Sequence, residues 1–314
     1  MFNRYWRIYP WYLQLFLFIM MIFVVFSSVY YVCGSLIQKI AHVSTADLLS
    51  INENSSRAII QNSLLLQFCT HAGIFLLPSL LFSYLAHPRP LQYLGLRAPG
   101  KSSQWLWVTL MMLGATPVFI YLNNLMELLP LGKWADDASK NLESVERAFL
   151  KMNSFSDFIK VFLTLAVLPA LGEEMLFRGV LFRFSFKRNR RFSFSIIITA
   201  IMFAFLHYNV YGFISIFLAG VLLGVIYYLT QSLWCSILAH MIHNGLQIAI
   251  LYFGKDNKAV QTAIEHNQIP VWFTLVAGVV FMGSLAMLLK NKTPLPPDWA
   301  EDFSPEELLK ETQE

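Results

Sequence analysis

Long apolar runs separated by short polar segments make up most of the chain. About eight of them are long enough for a helix to cross a bilayer, which takes roughly 20 residues. They lie at 11–37, 59–85, 104–129, 156–182, 192–210, 211–229, 232–253 and 271–290. This pattern predicts an all-α fold, a polytopic membrane helical bundle of about eight transmembrane helices. The fifth and sixth runs are so close together that they form either a tight helical hairpin or one broken helix.

The composition agrees with a membrane protein. Of the 314 residues, 56% are hydrophobic and only 13% are charged, whereas a soluble domain carries about 25% charged residues. The formal net charge of +4 is spread over the loops, so no nucleic-acid partner is expected. The first run is too long for the apolar part of a cleaved signal peptide. We therefore expect a multi-pass protein, and its short loops suit a bacterial inner membrane.

Basic residues are unevenly distributed between the two sides of this eight-span arrangement. Lys and Arg concentrate on the cytoplasmic side of membrane proteins, so the richer side is expected to face the cytoplasm together with both termini. Its basic residues are Arg4, Arg7, Arg89, Arg97, Lys101, Arg183, Lys187, Arg188, Arg190, Arg191, Lys290 and Lys292. The loops of the other side mix acidic and basic residues. The segment from Arg183 to Arg191 is expected to hold the inner face to anionic lipid.

The polarity pattern divides the chain into four regions. Residues 1–155 hold the N-terminal transmembrane helices and an outer amphipathic loop. Residues 156–253 form the membrane core with the candidate chemistry, and 254–292 hold the last transmembrane helix. Residues 293–314 form a flexible cytosolic tail, in which Ser304 and Pro305 can begin a short helix.

Two local patterns predict helix packing. In the outer loop, four apolar residues recur at helical spacing and predict an amphipathic helix on the outer surface. They are Leu142, Val145, Phe149 and Met152. In the sixth run, Gly220 and Gly224 form a pattern of small residues four apart, which permits close contact with a neighbouring helix.

Three ionisable groups interrupt the fourth apolar run, in the segment from Glu173 to Gly179. A charged side chain at the centre of a membrane helix costs about 2.5 to 3.5 kcal/mol, so such groups usually mark a pathway, a pair or a reactive site. Glu174 and Arg178 are four residues apart and can neutralise each other on one helix face. Glu173 lies on a neighbouring face without a partner in its own helix. An unpaired buried carboxylate of this kind is suited to exchanging a proton.

Histidines and one asparagine occupy other apolar runs. His207 ends the fifth run, and His240 and Asn244 share one face of the seventh run because they are four residues apart. At about 1.5 Å per residue, Glu173, His240 and Asn244 lie roughly 12 to 18 Å from the cytoplasmic helix ends, with His207 somewhat deeper. These side chains can converge on one cavity. Two further histidines, His71 and His243, are assigned to structural roles.

These residue types support hydrolysis of an amide. A carboxylate and an imidazole can hold and deprotonate a water molecule, while a second imidazole and a carboxamide can donate to the oxyanion of a tetrahedral intermediate. The sequence contains no Gly-x-Ser-x-Gly motif that would indicate a serine nucleophile. A water mechanism with a general base is therefore the simplest enzymatic interpretation.

Three motifs together resemble the CAAX protease and bacteriocin-processing family, also called the Abi family. They are Glu-Glu-x-x-x-Arg at Glu173 to Arg178, Phe-x-x-x-His at Phe203 to His207, and His-x-x-x-Asn at His240 to Asn244. The resemblance covers about 160 to 250. It implies a multi-helix intramembrane endopeptidase related to the Ras-converting CAAX prenyl endopeptidase, with a cavity that opens to the cytosol.

The resemblance also implies roles for individual residues. Glu173 and His207 would activate water, and His240 and Asn244 would form the oxyanion site. Glu174 and Arg178 would be a structural ion pair. No cofactor is implied, and the partners would be membrane lipid and a peptide or protein substrate, possibly a lipidated one.

Three other interpretations are open at this stage. The peptidase would depend on zinc if Glu173, His207 and His240 were metal ligands. The protein would instead be non-catalytic if it served as a bacteriocin immunity factor or a membrane scaffold. A transporter would use the carboxylate and the histidines as a proton relay.

Overall fold

The computed structural model describes residues 6, 9–189, 191–258, 260 and 269–295, and helix is the only regular structure assigned within them. The helices are α1 Trp11–Ala41, α2 Thr45–Leu49, α3 Arg57–Ala86, α4 Pro90–Tyr93, α5 Ser103–Glu127, α6 Lys133–Phe149, α7 Phe155–Asn189, α8 Phe192–Phe205, α9 Phe213–Thr230, α10 Leu233–Phe253 and α11 Val271–Lys290. The predicted all-α polytopic bundle is confirmed. The helix expected near Ser304, and the basic residues Arg4, Arg7 and Arg190, lie outside the described residues.

Seven of the described helices are long and apolar enough to cross a membrane. The exception among the predicted spans is 192–210, because α8 has 14 residues and ends at Phe205. At 1.5 Å per residue, α8 is about 21 Å long, which is shorter than a hydrocarbon core of about 30 Å. The predicted hairpin is present, since α8 packs against α9. A Cβ added to Gly220 would lie 3.2 Å from Ala200 of α8, as the small-residue pattern predicts.

Widened π-helical turns interrupt α3 and α7. They lie at Ala72–Leu76 in α3 and at Leu163–Val167 and Met175–Leu181 in α7. In both helices a proline, Pro78 or Pro169, follows the first widened turn by two residues. Proline has no N–H and its ring clashes with the carbonyl four residues earlier, so a widened turn accommodates it. Such turns are often found at functional sites.

The described chain enters and leaves the membrane bundle at the same end. Phe18, near the start of α1, contacts Phe184, near the end of α7, at a ring-centroid distance of 6.5 Å. Thr293, just after α11, donates its N–H to the carbonyl oxygen of Leu229 at 2.8 Å. Seven membrane crossings are an odd number, so they alone would leave the two ends of the described chain on opposite sides of the bundle. The short α8 and the loop after it therefore complete an additional traverse of the bundle.

This end of the bundle is basic. It is formed by the end of α7 and by connecting segments, at residues 87–102, 183–189, 191 and 291–295, which contain no Asp or Glu. Contacts between these segments join them into one surface, here called the basic end. Arg183 packs over the ring of Tyr93 at 4.8 Å, and Lys101 Nζ donates to Asn291 Oδ1 at 3.4 Å.

The opposite end, here called the mixed-charge end, carries both acidic and basic residues. It includes the start of α3 and of α7, where Arg57 donates to both oxygens of Asp157 at 2.9 and 3.0 Å. The predicted amphipathic helix is present here as α6. Tyr211, in the α8–α9 loop, donates its hydroxyl to Asp136 of α6 at 2.5 Å. This hydrogen bond raises the pKa of the Tyr211 phenol.

Candidate active site

Glu173 lies on α7 between its two widened turns, and three imidazoles from three other parts of the fold surround its carboxylate. His71 Nε2 lies 3.4 Å from Glu173 Oε1. His207 Nε2 and His240 Nε2 lie 4.0 and 3.9 Å from Glu173 Oε2. The Glu173 side chain is only 7% exposed. The structure thus brings together residues that the sequence placed on separate helices.

The imidazole of His207 is oriented by the backbone of its own helix end. Its Nδ1 lies 2.7 Å from the carbonyl oxygen of Phe203. A carbonyl oxygen only accepts, so Nδ1 carries the hydrogen, and in the neutral ring Nε2 is left as an acceptor that faces Glu173. The separation of 4.0 Å between Nε2 and the carboxylate oxygen is too long for a direct hydrogen bond and suits one bridging water molecule.

Glu174 and Arg178 form a fully buried ion pair that also holds His240. Arg178 Nη1 donates to Glu174 Oε1 at 2.8 Å, and Arg178 Nη2 donates to the Gly220 carbonyl at 2.7 Å. Ser236 donates its hydroxyl to Glu174 Oε2 at 2.6 Å. His240 Nδ1 lies 3.1 Å from Glu174 Oε1. The pair therefore does more than neutralise charge within α7, because its carboxylate orients an imidazole of α10.

Asn244 is positioned by the widened turn in α7. Its Nδ2 donates to the carbonyl oxygen of Leu165 at 3.2 Å. Pro169 has no N–H to donate to that carbonyl in an ordinary helical hydrogen bond, so the proline leaves it available to a side chain of α10. Asn244 has a second amide hydrogen that remains for the cavity.

A cavity of about 320 Å³ leads to these side chains. Buried residues form its floor: Met112, Phe203, Leu223 and His240. More exposed polar residues line its rim: Asn123, Glu146, Asn209 and Gln247. The side chain of His207 lies between the floor and the rim and is 33% exposed. The cavity therefore joins a buried floor to a polar rim.

The rim lies at the mixed-charge end. Asn123 is close to the end of α5, Glu146 is on α6, and Asn209 is in the α8–α9 loop. The family resemblance implies a cavity that opens to the cytosol, which is the side where the basic loops are expected. The structure places the opening at the other end, because α5, α8 and α10 bring their polar residues together there.

Sequence reasoning missed the position of His71. It was assigned a structural role, yet it is the imidazole closest to Glu173. His71 is the last α-helical residue before the widened turn of α3, and Pro78 was the available sign that this part of α3 departs from a regular helix. His243 was assigned in the same way. It lines the cavity, and its Nδ1 lies 3.0 Å from the hydroxyl of Thr116.

Comparison with known proteins relates part of the chain to a family. Residues 155–246 match the family model described as type II CAAX prenyl endopeptidase Rce1-like. The match supports a relationship of this segment to the Rce1-like family. It includes Glu173, His207, His240 and Asn244, whereas His71 lies outside it. No curated protein and no solved structure matches the chain.

The Rce1-like match supports a CAAX-type intramembrane protease in general terms, and such a protease acts on a peptide or protein substrate. Together with the apolar helices, the match supports an integral, multi-pass membrane protein. Within the described residues, no group of three or more His, Cys, Asp or Glu side chains has a metal-binding arrangement. The roles of the individual side chains belong to the proposal that follows.

Proposed function

We propose that this protein is an intramembrane endopeptidase that hydrolyses a peptide bond with water activated by Glu173 and His207. The observation that carries the proposal is the buried Glu173 carboxylate, with three imidazole nitrogens within 4.0 Å of its oxygens. Two of these imidazoles, His207 and His240, line the polar-rimmed cavity. The Rce1-like match, which includes Glu173, His207 and His240, supports this reaction class.

In the proposed reaction, a water molecule bridges Glu173 Oε2 and His207 Nε2. Glu173 takes a proton from this water as its oxygen attacks the carbonyl carbon of the substrate. The new carbon–oxygen bond converts the carbonyl oxygen into an oxyanion. When the carbon–nitrogen bond breaks, the proton held by the carboxyl group passes to the leaving amine. His207 orients the water and can share its proton.

His240 and Asn244 are proposed to stabilise the oxyanion. Asn244 supplies the amide hydrogen that is not used by Leu165. His240 already directs Nδ1 at Glu174, so it donates from Nε2 only when both ring nitrogens carry hydrogen. The negative charge of Glu174 would balance this imidazolium, and Arg178 would hold Glu174 in place. A charged donor is also the stronger partner for a developing oxyanion.

Cleavage of a panel of fluorogenic peptides by the purified protein tests the proposal. The panel contains lipidated and unlipidated peptides, and the assay runs in detergent and in liposomes. Glu173→Gln and His207→Ala should each lower turnover by about 10²-fold or more, since general acid–base groups contribute about 10² to 10⁴. Glu53→Gln is the matched control, because Glu53 is exposed in the α2–α3 loop. Equal turnover in Glu173→Gln and the control would overturn the assignment.

A chelator arm separates the water mechanism from a zinc-dependent one. Cleavage that persists in the chelator and disappears in Glu173→Gln would support the proposed mechanism. Cleavage that the chelator abolishes and added zinc restores would instead assign Glu173, His207 and His240 to a metal. A cellular toxin challenge distinguishes catalysis from the immunity role, because protection that needs only binding should survive Glu173→Gln.

A further inference from the structure

The cavity is closed at one end of the bundle and open at the other. Towards the basic end, the floor is backed by the ion pair of Glu174 and Arg178, both fully buried, and by Phe177 and Phe182 of α7, which are also buried. Towards the mixed-charge end, exposure of the lining residues increases. A substrate that approached from the basic end would have to displace this packed core.

The rim suits an extended peptide. Asn123, Asn209 and Gln247 carry carboxamides that can both donate and accept, as a peptide main chain does. Glu146 adds one carboxylate. The described residues that line the cavity include no Lys or Arg. The rim therefore favours neutral or cationic peptide segments over anionic head groups or phosphates.

Charge assigns the two ends of the bundle to the two sides of the membrane. Short loops rich in Lys and Arg remain in the cytoplasm. The loops of the basic end fit this rule because their charges are all positive. At the mixed-charge end, basic residues alternate with acidic ones, as in the Glu143–Arg147 pair of α6. The basic end therefore faces the cytoplasm, and the cavity rim faces away from it.

We infer that the active site is entered from the extracytoplasmic face, beside α6, and that its substrate is a peptide segment that has already crossed the membrane. That the entering peptide is a substrate rests on the proposed peptidase activity. The side of entry is independent of that activity. α6 then forms one wall of the entrance, and the Tyr211–Asp136 hydrogen bond holds it against the α8–α9 loop.

Site-directed labelling tests the side of entry without any assay of cleavage. The three cysteines, all free, are first replaced. Single cysteines are then introduced as Asp137→Cys on α6, Asn123→Cys on the cavity rim and Arg188→Cys at the basic end. Spheroplasts and inverted membrane vesicles of a bacterial host are treated with a membrane-impermeant maleimide.

The expected result is that the Asp137→Cys and Asn123→Cys proteins react in spheroplasts and lose that reaction in inverted vesicles, while the Arg188→Cys protein does the reverse. Labelling of the Asn123→Cys protein only from the side that labels the Arg188→Cys protein would overturn the inference. So would labelling of all three proteins from the side opposite to the one expected.

A second arm connects the side of entry with the activity. A membrane-impermeant peptide that the purified protein cleaves is added to spheroplasts and to inverted vesicles. Cleavage confined to spheroplasts is expected, and cleavage confined to inverted vesicles would overturn the inference. The two proposals fail in different ways. If the catalytic assignment is wrong, the Glu173→Gln protein cleaves the peptide as fast as the unsubstituted protein. If the side of entry is wrong, the labelling pattern of the single-cysteine proteins is reversed.

Discussion

The contact between His71 and Glu173 joins a residue outside the Rce1-like segment to the proposed general base. The His71 ring packs against Phe75 at a centroid distance of 4.4 Å, with the two ring planes tilted by 32°. Its closest approach, between Nε2 and Glu173 Oε1, is 3.4 Å. His71 can thus act as a positioning residue that lies beside one carboxylate oxygen while the other faces His207 and His240.

Replacement of His71 tests this role. His71→Ala is expected to lower kcat by about 10- to 100-fold with little change in KM, because a carboxylate misplaced by about 1 Å can cost 10²-fold in rate. His71→Gln, which keeps a donor near the carboxylate, should recover part of the loss. His87→Ala, at the basic end, is the control. Unchanged kcat in His71→Ala would show that packing of α3 is its only role.

Two glutamate–arginine pairs with the same spacing provide a comparison of burial. Glu174–Arg178 is fully buried, whereas the side chains of Glu143 and Arg147 are 54% and 64% exposed. Removal of one partner from a buried pair leaves an uncompensated charge and costs about 3 to 5 kcal/mol. Exposed pairs contribute about 0 to 1 kcal/mol.

We therefore expect Arg178→Met to lower the free energy of unfolding by a few kcal/mol, at about the scale of a broken buried pair. Arg147→Met should change it by less than about 1 kcal/mol. Unfolding in detergent, followed by circular dichroism, measures both values. Equal effects of the two substitutions would mean that the Glu174–Arg178 pair is hydrated in the folded protein.

The spacing of residues along the sequence was sufficient to predict part of the site. The contact of Glu174 with Arg178 and the shared face of His240 and Asn244 follow from four-residue separations, which are properties of one helix. The contact of His71 with Glu173 depends on how α3 crosses α7 through two widened turns. No local pattern carries that information, so sequence reasoning could not find it.

At the scale of helices, the crossing of α5 and α11 requires a glycine. A Cβ added to Gly114 of α5 would lie 2.6 Å from the backbone oxygen of Ala277 and 2.7 Å from the backbone nitrogen of Phe281, both on α11. Backbone atoms cannot move aside as a flexible side chain can. A Cβ added to Gly278, on α11 itself, would have no atom within 4 Å.

The two glycines should therefore respond differently to a methyl group. Gly114→Ala is expected to lower stability by about 1 to 3 kcal/mol, the usual cost of overpacking. Gly278→Ala is expected to be neutral or to stabilise by up to about 1 kcal/mol, because alanine is the better helix former. Thermal unfolding in detergent compares them. A larger loss in Gly278→Ala would contradict the described crossing.

Hydropathy predicted the long helices well, because their apolar runs are bounded by polar residues or proline. It failed for 192–210. The apolar and aromatic residues after Phe205 look like a continuation of the helix, but Tyr208 has a positive φ of 51°. Asn209 Oδ1 also accepts from the Gly212 N–H at 2.7 Å. This hydrogen-bonded turn ends α8 early, and a hydropathy average does not register it.

For the whole molecule, the short α8 implies a preferred membrane thickness. Its length of about 21 Å is below that of an average hydrocarbon core, and the mismatch costs fractions of a kcal/mol per Å. We expect higher thermal stability and turnover in liposomes of short-chain lipids than in liposomes of long-chain lipids. A series of liposomes that differ only in acyl-chain length measures both. A steady increase of turnover with chain length would contradict this expectation.

At this scale, the sequence predicted that the chain begins and ends on one side of the bundle, and the contacts near Phe18 and Thr293 agree for the described residues. The charge of each end assigns it to one side of the membrane. The direction in which the cavity opens could not be read from helix depths, because it depends on which helix ends leave a gap between them.

The widened turn at Ala72–Leu76 has an implication for the evolution of the site. A π-helical hydrogen bond spans one residue more than an α-helical one, so such a turn can be gained or lost by inserting or deleting a single codon. Loss of one residue there would rotate His71 by about 100° relative to the second half of α3. A relative of this protein could thus lose the His71–Glu173 contact while keeping every residue that makes it.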